Sequence, residues 1–300
     1  MKNRQMLDSL NAEYPIRFDG IEPLRDEGGS ASFILRCGKT RYFVKRGKSG
    51  YSDTFASSAD VVHYLNKREF PTPRIILTKS EASSCSANDD MYIVFDYISG
   101  TDVDNTDCPE QIGELLGRLH SVGKEYPGKL LKRGREYFVE RYIRFIEKTD
   151  VSERTISALS DYGAALWERV EKLPLGFSHG DCHADNLLCR DGELILLDFD
   201  SAAIAFHSFD VAIMCDATNY FLFDPDKAAR SHELLLRFAD GYVKHSELSQ
   251  TEIDAFFDLI ALRHFQLQPI VYENTGAPVN PGYIDSQLDW LIKLRKYSGW

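Results

Sequence analysis

The stretch FSHGDCHADNLL, residues 177–188, places two histidines, two aspartates, one asparagine and one cysteine between apolar flanks. His179, Cys182 and His183 are residue types that bind zinc, but structural zinc usually takes four ligands, typically as two spaced pairs. No second Cys/His pair stands at a suitable spacing in the sequence. The pattern therefore favours chemistry based on oxygen ligands over a zinc site, and a polar loop without catalysis is the remaining alternative.

Oxygen ligands come from three positions that a turn would bring together. Asp181 and Asn186 are followed, after the apolar runs LLCR and ELILL, by Asp198. The Asp191-Gly192 link between these runs predicts a β-hairpin, which would return Asp198 toward the loop. Mg²⁺ prefers oxygen ligands. Asn186 and Asp198 would then hold the metal and leave Asp181 to accept a proton from a substrate hydroxyl, as phosphoryl transfer requires.

The motif HGDCHADN, followed by Asp198-Phe199 beyond the predicted hairpin, resembles the HGDxHxxN motif of the aminoglycoside phosphotransferase and choline kinase family. The resemblance implies that Asp181 is the catalytic base and that Asn186 and Asp198 are the metal ligands. It also implies ATP and Mg²⁺ as cofactors. A polar loop without catalysis then becomes the weaker interpretation, because every fixed position of the motif is filled.

The same resemblance assigns supporting roles to other residues of the motif and beyond it. His179 and His183 would support the loop through hydrogen bonds, and Cys182 stands at a variable position. FDVA, residues 209–212, resembles a later Asp-Leu-Ala segment of the family, in which Asp210 would be structural. His120 lies in a segment that resembles the first helix of the large lobe, so it is expected to be packed or to cap a helix.

The N-terminal half contains a candidate nucleotide site. EGGSAS, residues 27–32, lies between two predicted strands, where backbone N–H groups of a flexible loop can approach phosphates. Lys45 ends the next strand, as the phosphate-binding lysine does in kinase folds, and FDYISG resembles the hinge. Taken alone, each feature fits an ordinary hairpin turn or an exposed strand-end lysine better. The resemblance implies the nucleotide-binding residues Gly28, Gly29, Ser30, Lys45, Asp96, Tyr97 and Ile98.

One position departs from the family pattern. The family usually places a glutamate near the start of the helix after Lys45, where it pairs with that lysine. Counting back from Leu65, the expected position holds Ser58. Asp60 and Asp53 are the nearest acidic candidates. The sequence therefore leaves the acidic partner of Lys45 open.

The elements that would position these residues change in character along the chain. Strands are predicted within 21–46, 74–78 and 91–98, and apolar spacing predicts helices over 55–67, 111–123, 136–148, 153–172, 226–245, 251–269 and 284–297. The expected domains are a β-rich nucleotide-binding lobe, 1–98, and a helical lobe with the catalytic loop and acceptor pocket, 99–300. The resemblance implies an α+β class and a bilobal protein-kinase-like fold, with a small antiparallel β lobe and a larger mainly helical lobe.

Composition narrows the partners. The chain has 300 residues, of which 43% are hydrophobic and 27% charged, as in ordinary globular enzymes. It has no apolar run of about 18 residues, so no membrane partner is expected. The N-terminus has no apolar run typical of a secretion signal, and the six cysteines form no CxxC pair. A cytoplasmic location is therefore expected. The net charge of −11 argues against a nucleic-acid partner.

The expected function is transfer of the γ-phosphate of Mg-ATP to a hydroxyl of a small molecule, such as an aminoglycoside, an amino alcohol or a related metabolite. Aromatic and acidic residues within 201–300 would suit a cationic acceptor, although most of the aromatics also fit a hydrophobic core. Two alternatives stay open: a bacterial stress-response-type Ser/Thr protein kinase, and a non-catalytic nucleotide-binding member of the family. The sequence does not determine the acceptor, a preference for ATP over GTP, or the oligomeric state.

Overall fold

The computed structural model describes residues 2–26, 30–48 and 52–299. The chain forms two compact units. The first comprises Met1–Val103, Tyr126–Leu130 and Asp185–Ala202, and the second comprises Asp104–Glu125, Leu131–Ala184 and Ala203–Trp300. Within the described ranges, no helix is long and apolar enough to cross a membrane. The expected division into a nucleotide-binding lobe, 1–98, and a helical lobe, 99–300, stays a prediction.

The first unit is built on an antiparallel sheet. Its strands are β1 (Gly20–Asp26), β2 (Ser30–Cys37), β3 (Thr40–Lys48), β4 (Ile75–Ile76), β5 (Cys85–Ala87) and β6 (Asp90–Asp96). The spatial order is β1-β2-β3-β6-β4, with β5 paired to β6. Ala31, Phe33 and Leu35 are spaced by two residues along β2 and are buried in one cluster with Val44 of β3, because side chains two apart in a strand lie on the same face.

Two helices belong to this unit, α1 (Lys2–Glu13) and α2 (Ser52–Lys67). Met6 and Leu10 on α1 are followed at the same spacing by Tyr14, and all three are buried in one cluster with Leu35 and Val94. The spacing of four residues places these side chains on one face of the helix. In this cluster, α1 packs against one face of the sheet.

The predicted hairpin is confirmed within the same unit. Strands β9 (Leu187–Arg190) and β10 (Glu193–Leu196) pair in an antiparallel register from Leu196 opposite Leu187 to Glu193 opposite Arg190, and β7 (Thr101–Asp102) adds to β9. At the tip, Asp191 and Gly192 have φ values of 55° and 84°. Two successive residues with positive φ are what the favoured two-residue hairpin turn requires, and Asp-Gly supplies them at low cost.

The second unit is mainly helical. Its helices are α3 (Pro109–Gly123), α4 (Arg141–Ile146), α5 (Glu153–Val170), α6 (His207–Cys215), α7 (Pro225–Tyr242), α8 (Gln250–Asp254), α9 (Phe256–Thr275) and α10 (Pro281–Ser298). A π-helical turn, Glu136–Glu140, runs directly into α4. One short antiparallel pair, β8 (Leu175–Ser178) with β11 (Ala203–Phe206), lies among them.

The predicted elements are largely confirmed, with differences at several elements. The helix expected over 251–269 is two helices that meet at Ala255 and extend to Thr275. The strand expected over 74–78 is only the two residues of β4. Strand β5 lies in the polar segment between the strands expected over 74–78 and 91–98, and it pairs with β6 although no strand was predicted there. Helix α1 was not predicted, because its few apolar residues lie among charged and amide residues.

Helices α3 and α7 pack at close backbone distance in the second unit. Three glycines make this approach possible. A Cβ at Gly113 or Gly117 would overlap the carbonyl oxygens of Phe238 or Tyr242, and a Cβ at Gly241 would overlap that of Glu110. Since the overlaps are with backbone, no side-chain rearrangement relieves them. The pairing brings His120 on α3 against Tyr242 on α7.

We expect Gly241→Ala to lower the free energy of unfolding, because the added methyl group forces α3 and α7 apart. Overpacking in a dense core typically costs about 1–3 kcal/mol. Gly134→Ala is the matched control, since a Cβ at Gly134 meets nothing within 4 Å. Chemical denaturation followed by circular dichroism measures both. Equal midpoints for the two variants would contradict the close packing.

Candidate active site

The buried carboxylate of one residue, Asp210, accepts hydrogen bonds from the end of β8 and from the loop that follows it. Asp210 is fully buried and accepts hydrogen bonds from the His179 N–H at 2.6 Å, the Gly180 N–H at 2.8 Å and the Ser178 hydroxyl at 3.1 Å. Gly180 has a φ of 80°, which a glycine adopts without steric cost. A buried carboxylate is stable only when such donors surround it. These contacts support the structural role predicted for Asp210.

His120 and Tyr242 extend this arrangement. The His120 Nε2 lies 3.0 Å from Asp210 Oδ2, and its Nδ1 lies 2.7 Å from the Tyr242 hydroxyl. Burial lowers the pKa of His120, although Asp210 acts in the opposite direction. His120 is therefore a packed, hydrogen-bonded residue, as the sequence predicted. Asp210 is connected through it to the α3–α7 pair.

Asp181 stands in the same unit and is bound to an arginine. Arg263 Nη2 donates to Asp181 Oδ1 at 2.5 Å, and the Arg263 side chain is only 7% exposed, against 37% for Asp181. His183 Nε2 lies 3.6 Å from Asp181 Oδ2. Burial acts to raise the pKa of Asp181, but His183 and Arg263 outweigh it and lower that pKa. Asp181 is therefore ionised at neutral pH.

The neighbours of Asp181 in the motif form hydrogen bonds or pack in the interior. The Asp181 N–H donates to His179 Nδ1 at 3.3 Å, and the Cys182 side chain is buried. In the part of the chain that the structure describes, no three His, Cys, Asp or Glu side chains are grouped so as to hold a metal ion. The roles predicted for His179 and His183 are consistent with these contacts.

The first unit contains a cavity of about 310 Å³. Lys45 and the two predicted metal ligands, Asn186 and Asp198, line it together with the predicted hinge residues Asp96, Tyr97 and Ile98. Its remaining walls are mainly apolar and include Phe43, Val62 and Leu188. A mostly apolar pocket of this size with a few converging polar groups is typical of small-molecule sites. Of the predicted nucleotide residues, Gly28 and Gly29 lie outside the described residues, and Ser30 begins β2 opposite Gly47.

The hairpin returns the chain from Asn186 to Asp198, and both residues line this cavity. The Leu197 N–H donates to the Asn186 carbonyl at 2.8 Å, so the residues flanking the hairpin lie side by side. Asp198 has a φ of 57°, a left-handed backbone that is uncommon for residues other than glycine. Strained backbone of this kind concentrates at functional positions. An amide oxygen and a carboxylate at one place fit a hard divalent cation such as Mg²⁺.

The missing glutamate partner of Lys45 is replaced from another part of the chain. Lys45 Nζ lies 2.8 Å from Asp198 Oδ1 and 2.6 Å from Asp200 Oδ2. Ser58, which stands where the family has glutamate, donates its hydroxyl to Asp200 Oδ1 at 3.0 Å. Burial acts to lower the pKa of Lys45, but Asp200 and Asp198 raise it, so the ammonium keeps its charge. Asp200 supplies the second carboxylate that α2 lacks.

The two acidic candidates named from the sequence have other positions. Asp60 accepts a hydrogen bond from the Ser83 hydroxyl at 2.6 Å. The side chain of Asp53 lies outside the described residues. No sequence pattern connects Asp200 with Lys45, because the two residues are far apart in the chain and no periodicity joins them.

Sequence reasoning also missed Arg263 and Gln266. Both lie on α9, which otherwise reads as an apolar core helix, and both are buried. Arg263 Nη1 donates to Gln266 Oε1 at 2.6 Å. The available signal was the presence of Arg, His and Gln within a long apolar helix, since such residues are rarely buried without a partner.

The sequence comparison identifies the family. The model of the phosphotransferase enzyme family matches residues 21–248. The chain belongs to this family. The resemblance based on HGDCHADN is thereby confirmed. The expected enzyme class, an ATP-dependent kinase or phosphotransferase with an alcohol group as acceptor, is confirmed with it.

Individual relatives agree with this assignment. Homoserine kinase of Beijerinckia indica subsp. indica is 28% identical over 248 residues, which cover 78% of this chain and 74% of that protein. Stress response kinase A of Salmonella choleraesuis is 28% identical over 208 residues, covering 63% of this chain and 58% of that protein. The structure of amicoumacin kinase hAmiN in complex with AMP-PNP, Ca²⁺ and Ami matches with a TM-score of 0.79 at 18% identity, over 99% of this chain and 94% of that chain. The predicted α+β, protein-kinase-like fold is confirmed.

We expect Asp200→Asn to lower kcat/KM for ATP by about 10- to 100-fold, because a hydrogen bond to a charged group contributes about 1.5–3 kcal/mol. Asparagine retains the shape and the hydrogen bond from Ser58, so the loss isolates the charge opposite Lys45. Asp60→Asn is the matched control, since Asp60 is bound to Ser83. Steady-state kinetics with varied ATP measure the effect. Unchanged kinetics in the Asp200 variant would show that Asp200 has no role in the nucleotide site.

A second prediction concerns His264, which is fully buried between the rings of Tyr220 and Trp290. Burial lowers its pKa to about 3. Because the unfolded-state pKa is about 6.5, acidification protonates the unfolded chain first. The stabilising contribution is complete above about pH 6.5, and each pH unit below removes up to about 1.4 kcal/mol.

Denaturation between pH 7 and pH 4.5 measures this dependence. We expect His264→Phe to reduce the slope of unfolding free energy against pH, while His232→Gln, a change of an exposed histidine, leaves it as in the wild type. Parallel slopes in all three proteins would show that His264 does not titrate in this window.

Proposed function

We propose that the protein transfers the γ-phosphate of ATP to the hydroxyl of a small molecule. The observation that carries this proposal is the cavity of about 310 Å³ in the first unit, lined at once by Lys45, Asn186, Asp198 and the strand end at Asp96 to Ile98. A nucleotide needs an apolar slot for its base and cationic and metal-ligating groups for its phosphates. These residue types converge in this one cavity.

The nucleotide would bind with its base between the apolar walls and its phosphates near Lys45. The Asp96 N–H already donates to the Arg74 carbonyl at 2.8 Å, so base contacts would fall to the backbone of Tyr97 and Ile98. Lys45 is charged and offers its ammonium to phosphate oxygens. Gly28 and Gly29, which lie outside the described residues, and Ser30 stay candidates for further phosphate contacts.

Asn186 and Asp198 would hold a Mg²⁺ ion. A bound divalent cation offsets negative charge on the phosphates during transfer. The donor set supports this assignment, because an amide oxygen and a carboxylate oxygen are hard ligands and flank one hairpin. Lys45 then keeps Asp200 as its carboxylate partner when Asp198 turns to the metal.

Asp181 would orient the acceptor hydroxyl and receive its proton. The hydroxyl oxygen forms a bond to the γ-phosphorus as the bond between that phosphorus and the β-γ bridging oxygen breaks, and ADP leaves. A carboxylate with a lowered pKa is a weak base, but phosphoryl transfer depends mainly on positioning. Arg263 and His183 fix Asp181 in an ionised, hydrogen-bonded state that suits this role.

The names of the relatives include two kinds of acceptor. Homoserine and amicoumacin are small molecules, and they support a small-molecule acceptor here. The relatives named stress response kinase A and serine/threonine protein kinase RdoA support a protein acceptor as the second candidate. Assays that compare small hydroxyl compounds with a generic protein substrate separate the two.

We expect Asp181→Asn to cut turnover by about 10²- to 10⁴-fold, as removal of a general base does, with ATP binding nearly unchanged. A coupled ADP-release assay measures turnover, and calorimetry with AMP-PNP and Mg²⁺ measures binding. Asp185→Asn serves as the control, because it makes the same chemical change at an exposed position of the same loop. Full turnover in the Asp181 variant, or no Mg-dependent nucleotide binding by the wild type, would refute the proposal.

A further inference from the structure

A line of side chains leads away from Asp181 within the second unit. Arg263 Nη2 donates to Asp181 Oδ1 at 2.5 Å, and its Nη1 donates to Gln266 at 2.6 Å. Gln266 Nε2 donates to the Tyr137 hydroxyl at 2.8 Å. The Arg133 guanidinium lies 3.9 Å above the centre of the Tyr137 ring. The predicted base is thus connected to a second arginine.

Arg133 differs from the other arginines of its segment. Its Nε is buried and makes no hydrogen bond, and within the described residues no carboxylate lies at ion-pair distance from it. The neighbouring arginines are paired: Arg135 with Glu140, Arg141 with Glu273 and Arg144 with Glu136. Each nearby glutamate therefore already has a cation, and the guanidinium of Arg133 is left without an anion.

This state is costly for an internal structural arginine. A partly buried cation with an unsatisfied donor loses hydration that no partner returns. Burial lowers the pKa of Arg133, and Arg141 acts in the same direction, while Tyr137 and Asp181 act to raise it. Stacking on Tyr137 holds the planar fork in one orientation, which is the arrangement that binds carboxylates with two parallel hydrogen bonds.

We propose that the acceptor carries a carboxylate, which Arg133 binds, in addition to the hydroxyl that faces Asp181. This proposal rests on the proposed function and names the class of its acceptor, a hydroxy acid, of which hydroxy amino acids are examples. A purely cationic acceptor leaves Arg133 unsatisfied and brings a second positive charge beside Arg263.

Three pairs of compounds that differ only in the carboxylate test the proposal: L-homoserine with 3-aminopropan-1-ol, L-serine with ethanolamine, and L-threonine with 1-aminopropan-2-ol. ADP release is measured for each with saturating Mg-ATP. We expect at least one amino acid to exceed its decarboxylated partner by about 10- to 100-fold in kcat/KM, since hydrogen bonds to a charged group change the constant by about that factor. Preference for the amino alcohol in every pair that reacts would overturn it.

The variant Arg133→Gln then assigns the preference to this side chain. We expect it to abolish discrimination within the preferred pair, through a higher KM for the amino acid, with the KM for ATP unchanged. Arg135→Gln is the matched control, because Arg135 is exposed and paired with Glu140 two residues along the same segment. Equal melting temperatures of the two variants exclude a folding defect. Retained discrimination in folded Arg133→Gln would refute the role of Arg133.

Binding separates this proposal from the proposed function. Thermal shifts are measured for all six compounds with AMP-PNP and Mg²⁺ present. Amino-acid binding that depends on Arg133, without ADP release from any compound, would contradict phosphoryl transfer and keep the acceptor site. If the amino acids bind no more tightly than their partners, the acceptor proposal fails, even where the protein turns over amino alcohols.

Discussion

The Asp210 carboxylate is excluded from water, and it survives there because two backbone N–H groups, one hydroxyl and one imidazole surround it. These donors belong to the last residue of β8, to the loop that carries Asp181 and to α3. The loop cannot change shape without leaving a buried charge unsatisfied, which typically costs several kcal/mol. The conformation of this loop is therefore tied to the integrity of the α3–α7 contact, and glycines outside the loop contribute to the position of Asp181.

In the first unit, a charged side chain is likewise balanced by charges of opposite sign, some of which are partly exposed. Lys45 is balanced by two carboxylates, Asp198 and Asp200, and the second is held by Ser58. With one carboxylate alone, a metal at Asp198 would leave the lysine unpaired. The duplication would let Asp200 pair with the lysine while Asp198 binds the proposed metal ion. A serine on α2 is then sufficient where a glutamate would otherwise be needed.

Local features of the site were predictable from the sequence, and distant pairings were not. The Asp-Gly hairpin depends on turn chemistry at two adjacent positions, and its prediction follows from the backbone preferences of those residues. The roles expected of the motif residues were implied by the resemblance to the family. The pairing of Lys45 with Asp200 joins distant segments, and no local propensity encodes it. Arg263 was overlooked because its helix is apolar enough to be read as core. Helix α1 was not predicted because only a few residues form its apolar face.

The hairpin between Asn186 and Asp198 separates distance along the chain from distance in space. The Leu197 N–H bonded to the Asn186 carbonyl fixes the base of the hairpin, while the turn at Gly192 lies at the far tip, where an added Cβ would meet nothing within 4 Å. Residues inserted in pairs, one on each strand, would lengthen the ladder and leave its base unchanged. The number of residues between Asn186 and Asp198 can therefore vary during evolution while the base of the hairpin stays the same. A search pattern with a fixed interval would overlook relatives whose sites are geometrically the same.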